Sequence, residues 1–273
     1  MREAASGRHD VVVVVLAAGH GKRLAQAGGP GPKWLTHVGG VPIAERQLTA
    51  IEHGLGPDTE VVVVVGHAAD RVERYCRERA TRSALRQRLV HNDNYLQRNN
   101  WYSLLVGLDA LEGRLGEDQV LVVLNSDLFA LPPWTAALLR VAAELVDIPG
   151  FLAVDVGRPI TDEAMKVAAG PNDAAGRRWC TAIGKVRVSD PVGEYVGLSA
   201  LAPSGRALVH DALRAFTDEE ARADAWYEEA FHDISTASPF LSVLPTPSSD
   251  WVEIDDAEDL LTAERLAERF PQL

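Results

Sequence analysis

Gly19-His20-Gly21-Lys22-Arg23-Leu24, with Lys33 shortly after, sets small residues beside three cations. Small residues leave backbone N–H groups exposed, and successive N–H groups flanked by positive charge suit phosphate oxygens. Two familiar glycine loops fail here. The dinucleotide fingerprint GxGxxG would need glycine where the chain has Leu24, and GxxxxGK[ST] would need glycine at Leu16 and Ser or Thr at Arg23. What remains is a phosphate cradle of another kind, or a tight turn with solvated basic residues. Carboxylates form the second chemical group. Asp127 follows an all-apolar run, so its side chain emerges at a strand end, as a ligand or as a turn and cap residue. Asp255 sits before a helix whose better cap is Asp256. Asn99, Asn100 and Ser103 open a helix predicted over 103–111 and would serve at least as caps. Only four of the 27 basic residues are lysines, Lys22, Lys33, Lys166 and Lys185. A chain that solvates itself with arginine keeps lysine where a compact point charge suits, unless the bias is compositional drift.

These groups need elements to hold them. Residues 11–16, 61–65 and 120–124 are short, β-branched, non-alternating runs, the pattern of strands buried on both faces of a parallel sheet. Pro42 suits the first turn of a helix running to about His53, with Gly54 as its stop. Trp134, Ala137, Leu138, Val141, Ala142 and Leu145 recur at helical spacing. Alternating strand and helix predicts an α/β fold: right-handed crossovers and an open sheet with helices on both faces, ligands sitting beyond the carboxyl ends of the strands. The turn after residue 16 lies at that edge. Further on, strands are expected over 151–155, 181–188, 195–201, 240–244 and 251–254, and helices over 204–216, 218–231 and 256–270. Residues 1–10 read as a disordered tail and 11–273 as a single domain.

Composition bounds the partners. The formal charge of −12 argues against a nucleic-acid groove or a membrane surface, both of which need a positive face. It leaves room for a small anion, because a few cations or a metal reverse the field locally. Cys76 and Cys180 lack metal-ligand spacing and read as reduced thiols of a cytoplasmic protein. No apolar run has the length of a membrane span, and residues 1–10 lack the apolar core of a signal peptide.

Leu16-Ala17-Ala18-Gly19-x-Gly21-x-Arg23-Leu24 followed by Pro32-Lys33 resembles the signature loop of the nucleoside-triphosphate transferases that make nucleotide-activated sugars and alcohols. Later segments fit the same family in order. His91-Asn92-Asp93-Asn94-Tyr95 and Asn99-Asn100-x-x-Ser103 look like its cytidylyltransferase branch, which includes phosphocholine cytidylyltransferases and phosphonate-activating enzymes. Asn125-Ser126-Asp127 takes the place of the metal-binding Gly-Asp. Met165-Lys166-Val167, Ile183-Gly184-Lys185, Glu194-Tyr195-x-Gly197 and Trp251-x-Glu253-Ile254-Asp255 complete the series. Ser126 departs from the usual glycine, and the glycine-rich stretch 27–31 is longer than in many relatives and suggests a flap.

The resemblance implies a Rossmann-like, open, mostly parallel mixed sheet. It divides the domain into a nucleotide-binding half (11–150), an acceptor-binding part (151–250) and a metal-ligand strand with closing helix (251–273). It implies transfer of CMP from CTP to the phosphate or phosphonate of a small acceptor, with release of pyrophosphate and with Mg²⁺ on Asp127 and Asp255. Arg23, Lys33 and Lys185 would be the catalytic cations. Leu16, Ala17, Ala18, Gly19, Gly21, Lys33, Asn92, Asn99, Asn100, Ser103 and Asp127 would bind the nucleotide. Lys166, Lys185, Glu194, Tyr195 and Glu228 would bind the acceptor. His20 is not needed as a base, because a phosphate monoester, with a second pKa of about 6, is already a nucleophile near neutral pH. A cationic acceptor would call on Trp179, Tyr195, Trp226, Tyr227 and Trp251 with Glu194, Glu228 and Glu229; an anionic one would call on Arg177, Arg178 or Arg187. Neither nucleic acid nor membrane is implied, and a homodimer is left open. The alternatives are a sugar-1-phosphate nucleotidyltransferase using another triphosphate, or a nucleotide-binding homologue without turnover.

Overall fold

The computed structural model describes residues 9–21, 23–24 and 31–269. Lys22, most of the stretch 27–31, the greater part of the expected tail and the last residue of the closing helix (270) therefore lie outside the described residues. His9 and Asp10, expected in the tail, are anchored: His9 N–H donates to the Ala143 carbonyl, and Asp10 O accepts from Val120 N–H.

Strand β1 (Val11–Ala17) leads to a hairpin of β2 (His37–Val38) and β3 (Val41–Pro42), then the helix Ile43–Leu55 and β4 (Glu60–Val65). The helix Ala69–Ala80, β5 (Arg86–His91), the helix Asn100–Leu111 and β6 (Val120–Asn125) follow. Next come β7 (Leu128–Ala130), the helix Pro132–Ala143, β8 (Gly150–Asp155), β9 (Lys166–Asn172), β10 (Arg178–Gly184) and β11 (Gly193–Leu201). Helices Pro203–Phe216 and Tyr227–Ala237, β12 (Ser242–Thr246), β13 (Trp251–Glu253) and the helix Ala257–Ala267 complete the fold. Nine strands form one sheet in the order β5-β4-β1-β6-β11-β8-β12-β10-β9. It is parallel from β5 through β6 and mixed beyond, where β11 runs antiparallel to both β6 and β8.

The valines of β1 show why helices cover both faces. Successive strand residues point to opposite sides. Val13 and Val15 pack on one side with Ile43, Leu48, Leu139 and Ala263, from three helices. Val12 and Val14 pack on the other with Trp101, Leu104, Leu213 and Phe231, from three different helices. A strand buried on both faces has no polar alternation to show, and this one is five valines followed by Leu16 and Ala17.

Several boundaries differ from expectation. Gly54 lies inside its helix, which continues to Leu55; a Cβ there would come within 2.9 Å of the Ala136 carbonyl, so the glycine admits the helix Pro132–Ala143 at close range. The helix predicted from 103 starts at Asn100, because Asn99 Oδ1 accepts the Asn100 N–H. The one predicted over 218–231 starts at Tyr227, because Glu229 reaches back to the Trp226 N–H. The strand predicted over 181–188 is shifted to Arg178–Gly184, and Arg187 turns with a positive φ of 61°. Among the described residues no helix is long and apolar enough to cross a membrane.

Candidate active site

The two acids far apart in sequence are joined by a short strand pair. β13 runs antiparallel to β7, with Glu253 opposite Leu128, and Ile254 N–H donates to the Asp127 carbonyl at 3.0 Å. Asp127 and Asp255 thus flank one ladder. Asp256, not Asp255, caps the last helix, accepting the Glu258 and Asp259 N–H groups. The Asp255 carboxylate is left for the cavity, and Glu253, two residues earlier on extended chain, faces the same way. One oxygen each from Asp127, Glu253 and Asp255 lies within 4.8 Å of the others.

A cavity of about 450 Å³ opens at the carboxyl ends of β1 and β6. Leu16, Ala18, Gly19, His20 and Gly21 form one wall, and Lys33 and Arg23 stand against the acids. Lys33 Nζ donates to Asp127 Oδ2 at 3.3 Å and to Asp255 Oδ1. Arg23 bridges Asp255 and Glu163. Asn99, Asn100 and Ser103 line a second side; Lys185, Tyr195, Trp226 and Glu228 line a third. The Lys185 ammonium sits 5.4 Å from the centre of the Trp226 ring.

Four expected ligand contacts are not in this wall. Ala17 is buried in the sheet. Asn92 is buried and local: its Nδ2 donates to Ser103 Oγ at 2.9 Å, and its Oδ1 accepts the Asn94 N–H. Lys166 Nζ donates to the carbonyls of Asp162 and Lys185 at 2.7 and 2.8 Å, so it braces the loop that carries Lys185 instead of reaching the cavity. Glu194 sits beside Lys166 in the β11–β9 register. Asn99 does line the cavity, but both ends of its amide are engaged, with Asn100 N–H and the Asp224 carbonyl. Of the aromatic candidates, Tyr195 and Trp226 line the wall. Tyr227 is buried behind it, Trp179 donates to Asp173, and Trp251 donates to Asp155 under the Arg158 guanidinium. Arg177 and Arg178 line a separate groove.

Charge in the cavity is tightly balanced. Burial opposes the Lys33 ammonium, but Asp127 and Asp255 outweigh it and hold its pKa above the ordinary lysine range. Burial likewise opposes the Asp255 carboxylate, yet Lys33 and Arg23 pull its pKa below the usual value. Glu253 goes the other way: burial, then the charges of Asp127 and Asp255, push it up. Burial raises Glu228 to about 7, and its Oε2 has no partner among the described residues.

Glu253, Asn125, Arg98 and Met165 line the cavity without having been assigned a role in the site. Glu253 carried a usable signal, since a residue two before Asp255 on a strand shares its face. Arg98 carried none, because it comes in on the loop between β5 and the helix Asn100–Leu111.

Residues 13–232 match the MobA-like NTP transferase domain. A stretch of 144 residues, 53% of this chain, is 35% identical to the bifunctional IPC transferase and DIPP synthase of Rubrobacter xylanophilus. It covers 30% of that protein, so the chain spans under a third of its relative's length. Among solved structures, the CTP:phosphocholine cytidylyltransferase from Streptococcus pneumoniae matches with a TM-score of 0.68 and 19% identity, over 94% of this chain and 99% of that one. The inositol-1-phosphate CTP transferase from T. maritima matches with a TM-score of 0.70 and 18% identity, over 97% and 98% of the two chains. At those identities the structural likeness is one of fold.

Proposed function

The chain belongs to the MobA-like NTP transferase family, and from that premise we propose that it is a cytidylyltransferase. An oxygen of the acceptor's phosphate or phosphonate attacks the α-phosphorus of CTP in line, the bond to the bridging oxygen breaks, and pyrophosphate leaves. The observation that carries this reading is the meeting of Asp127, Glu253 and Asp255 across from the glycine turn, with Lys33 between them.

Three carboxylate oxygens converging at one point are hard donors of the kind magnesium takes. Bound there, Mg²⁺ would neutralise charge on the phosphates and orient them. The chain's own residues do the rest. Backbone N–H groups around Gly19 and Gly21 cradle phosphate oxygens, and Arg23 and Lys33 offset the charge that accumulates on the departing pyrophosphate. Lys185 holds the attacking group, braced through its backbone carbonyl by Lys166. Asn100 and Ser103 face the nucleotide side. Glu228, Tyr195 and Trp226 face the acceptor's other end, where a buried carboxylate asks for a hydrogen-bond donor. No general base is required, so His20 is a wall residue. Positioning and charge neutralisation dominate such transfers.

A pyrophosphate-release screen tests this: CTP, UTP, GTP and ATP with Mg²⁺, each against phosphocholine, inositol-1-phosphate, aminoalkyl and hydroxyalkyl phosphonates, and sugar phosphates. Release with CTP and one acceptor class is expected. Release with another triphosphate and a sugar phosphate would replace the cytidylyl assignment. CTP binding without any release would make the chain a nucleotide-binding homologue.

A further inference from the structure

Asn125 ends β6, the strand that lies between β1 and β11 in the sheet. Its parallel neighbour on β1 is Leu16, where the glycine turn begins, and the next strand over carries Tyr195 and Gly197. The residue therefore sits on the cavity floor where the nucleotide half meets the acceptor half.

Its amide is held at one end. The backbone carbonyl accepts Gln47 Nε2 at 2.9 Å, which fixes the peptide. Oδ1 accepts the Tyr227 hydroxyl at 3.0 Å, and that hydroxyl lies 3.0 Å from the hydroxyl of Tyr195. Both tyrosines are buried, and Tyr227 packs edge-on against Phe231. Gly197, at φ +82°, leaves the space beside the amide, since a Cβ there would stand 3.0 Å from Asn125 Nδ2. With the carbonyl end occupied by a phenol, the NH₂ end of this lining residue is the one left over for a ligand. Among the described residues nothing accepts from it. A neutral donor fits a floor already crowded with the carboxylates of Asp127, Glu253 and Asp255, where an anion would repel phosphate and a further cation would bind the acids.

We propose that Asn125 contacts substrate in the nucleotidyl transfer. Its NH₂ group donates to an oxygen at the ribose–α-phosphate end of the bound nucleotide. Tyr227 is then a positioning residue that acts through it. The inference rests on the nucleotidyl-transfer reading above.

Asn125→Asp keeps the shape, deletes the donor and adds a charge that repels phosphate. It is expected to lower kcat/KM for the triphosphate by about thirtyfold or more, the range for a hydrogen bond to a charged group, while KM for the acceptor changes less than about threefold. Asn125→Ala, which deletes the donor without that charge, is measured beside it and must show a loss in the same ratio. Tyr227→Phe keeps the ring and is expected to cost about tenfold in the same ratio. A purely structural tyrosine would shift only the melting temperature, so the deciding readout is a double-mutant cycle. In an Asn125→Ala background, Tyr227→Phe should cost less than about twofold more; full additivity overturns the positioning role. Asn125→Asp turning over within about threefold of wild type overturns the contact. Calorimetric titration of CTP into the same variants separates the two layers. If wild type binds CTP but releases no pyrophosphate, the transfer reading fails while weaker binding by Asn125→Asp still supports the contact. A wild-type chain that binds no triphosphate overturns both.

Discussion

Lys33→Met keeps the buried stem and deletes the ammonium. That group stands 3.3 Å from Asp127 Oδ2 and touches Asp255 Oδ1. At an effective dielectric constant near 20, one pair at that distance is worth about 5 kcal/mol gross, most of it offset by desolvation. Breaking a fully buried pair costs about 3–5 kcal/mol, because the partner is left uncompensated. Here the lysine side chain is 15% exposed and the two carboxylates 22% and 20%, which places the cost at the lower end. About 3 kcal/mol corresponds to roughly 5 °C in Tm for a chain of this size. The assay is thermal melting in EDTA and again across a Mg²⁺ titration. The variant should melt lower in EDTA and gain more from Mg²⁺ than wild type, since three acids then lack their internal cation. Pyrophosphate release should stay about a hundredfold or more below wild type even at saturating Mg²⁺. A variant that melts within about 2 °C of wild type in EDTA, or whose Mg²⁺ shift is no larger, refutes the idea that ammonium and metal answer the same carboxylates.

Two more perturbations follow from buried acids. Asp155 is fully buried and accepts from Trp251 Nε1, Ser248 Oγ and the Gly157 and Arg158 N–H groups. Burial opposes its charge, but these bonds win and hold its pKa below the ordinary value. Its contribution to stability is thus complete above the unfolded carboxylate pKa of about 3.9 and fades as pH falls through the lower folded one. Asp155→Asn should cost about 1–3 kcal/mol at neutral pH and flatten the acid limb in urea unfolding between about pH 5 and 2; parallel pH profiles would contradict this. For Glu228, burial raises the folded pKa to about 7, so the folded chain keeps a proton that the unfolded chain releases. Wild-type stability should fall as pH rises from about 4.3 toward 7 and level off above. Glu228→Gln should remove that slope and raise KM for the acceptor but not for the triphosphate, and an unchanged slope would show that the carboxyl is solvated.

The core was legible where burial is two-sided. The three valine runs became β1, β4 and β6, adjacent in the sheet and parallel, because such strands have no alternation to confuse with another element. Edge strands were not legible. β5 reads Arg-Gln-Arg-Leu-Val-His and pairs on one side only, so its composition follows solvent. The helix Ala69–Ala80 was missed for a similar reason: it is densely charged and buries only Val72, Cys76 and Arg79. Asp127 and Asp255 could be found because each follows a strand within a recognisable segment. Lys166 and Glu194 fall outside the cavity lining. For Lys166 nothing in the sequence warned of it, because a lysine bonded to two backbone carbonyls is written no differently from one that holds a phosphate.

The β7–β13 ladder orders events during synthesis. All nine strands of the main sheet are made by Thr246, yet Glu253 and Asp255 come afterwards and reach Asp127 only when β13 docks. A nascent chain can therefore hold every strand of the main sheet while still lacking two of the three acids, along with the core side chains of Trp251, Ile254 and Ala263. The three-acid cluster is completed only by residues 253–255, made just before the closing helix.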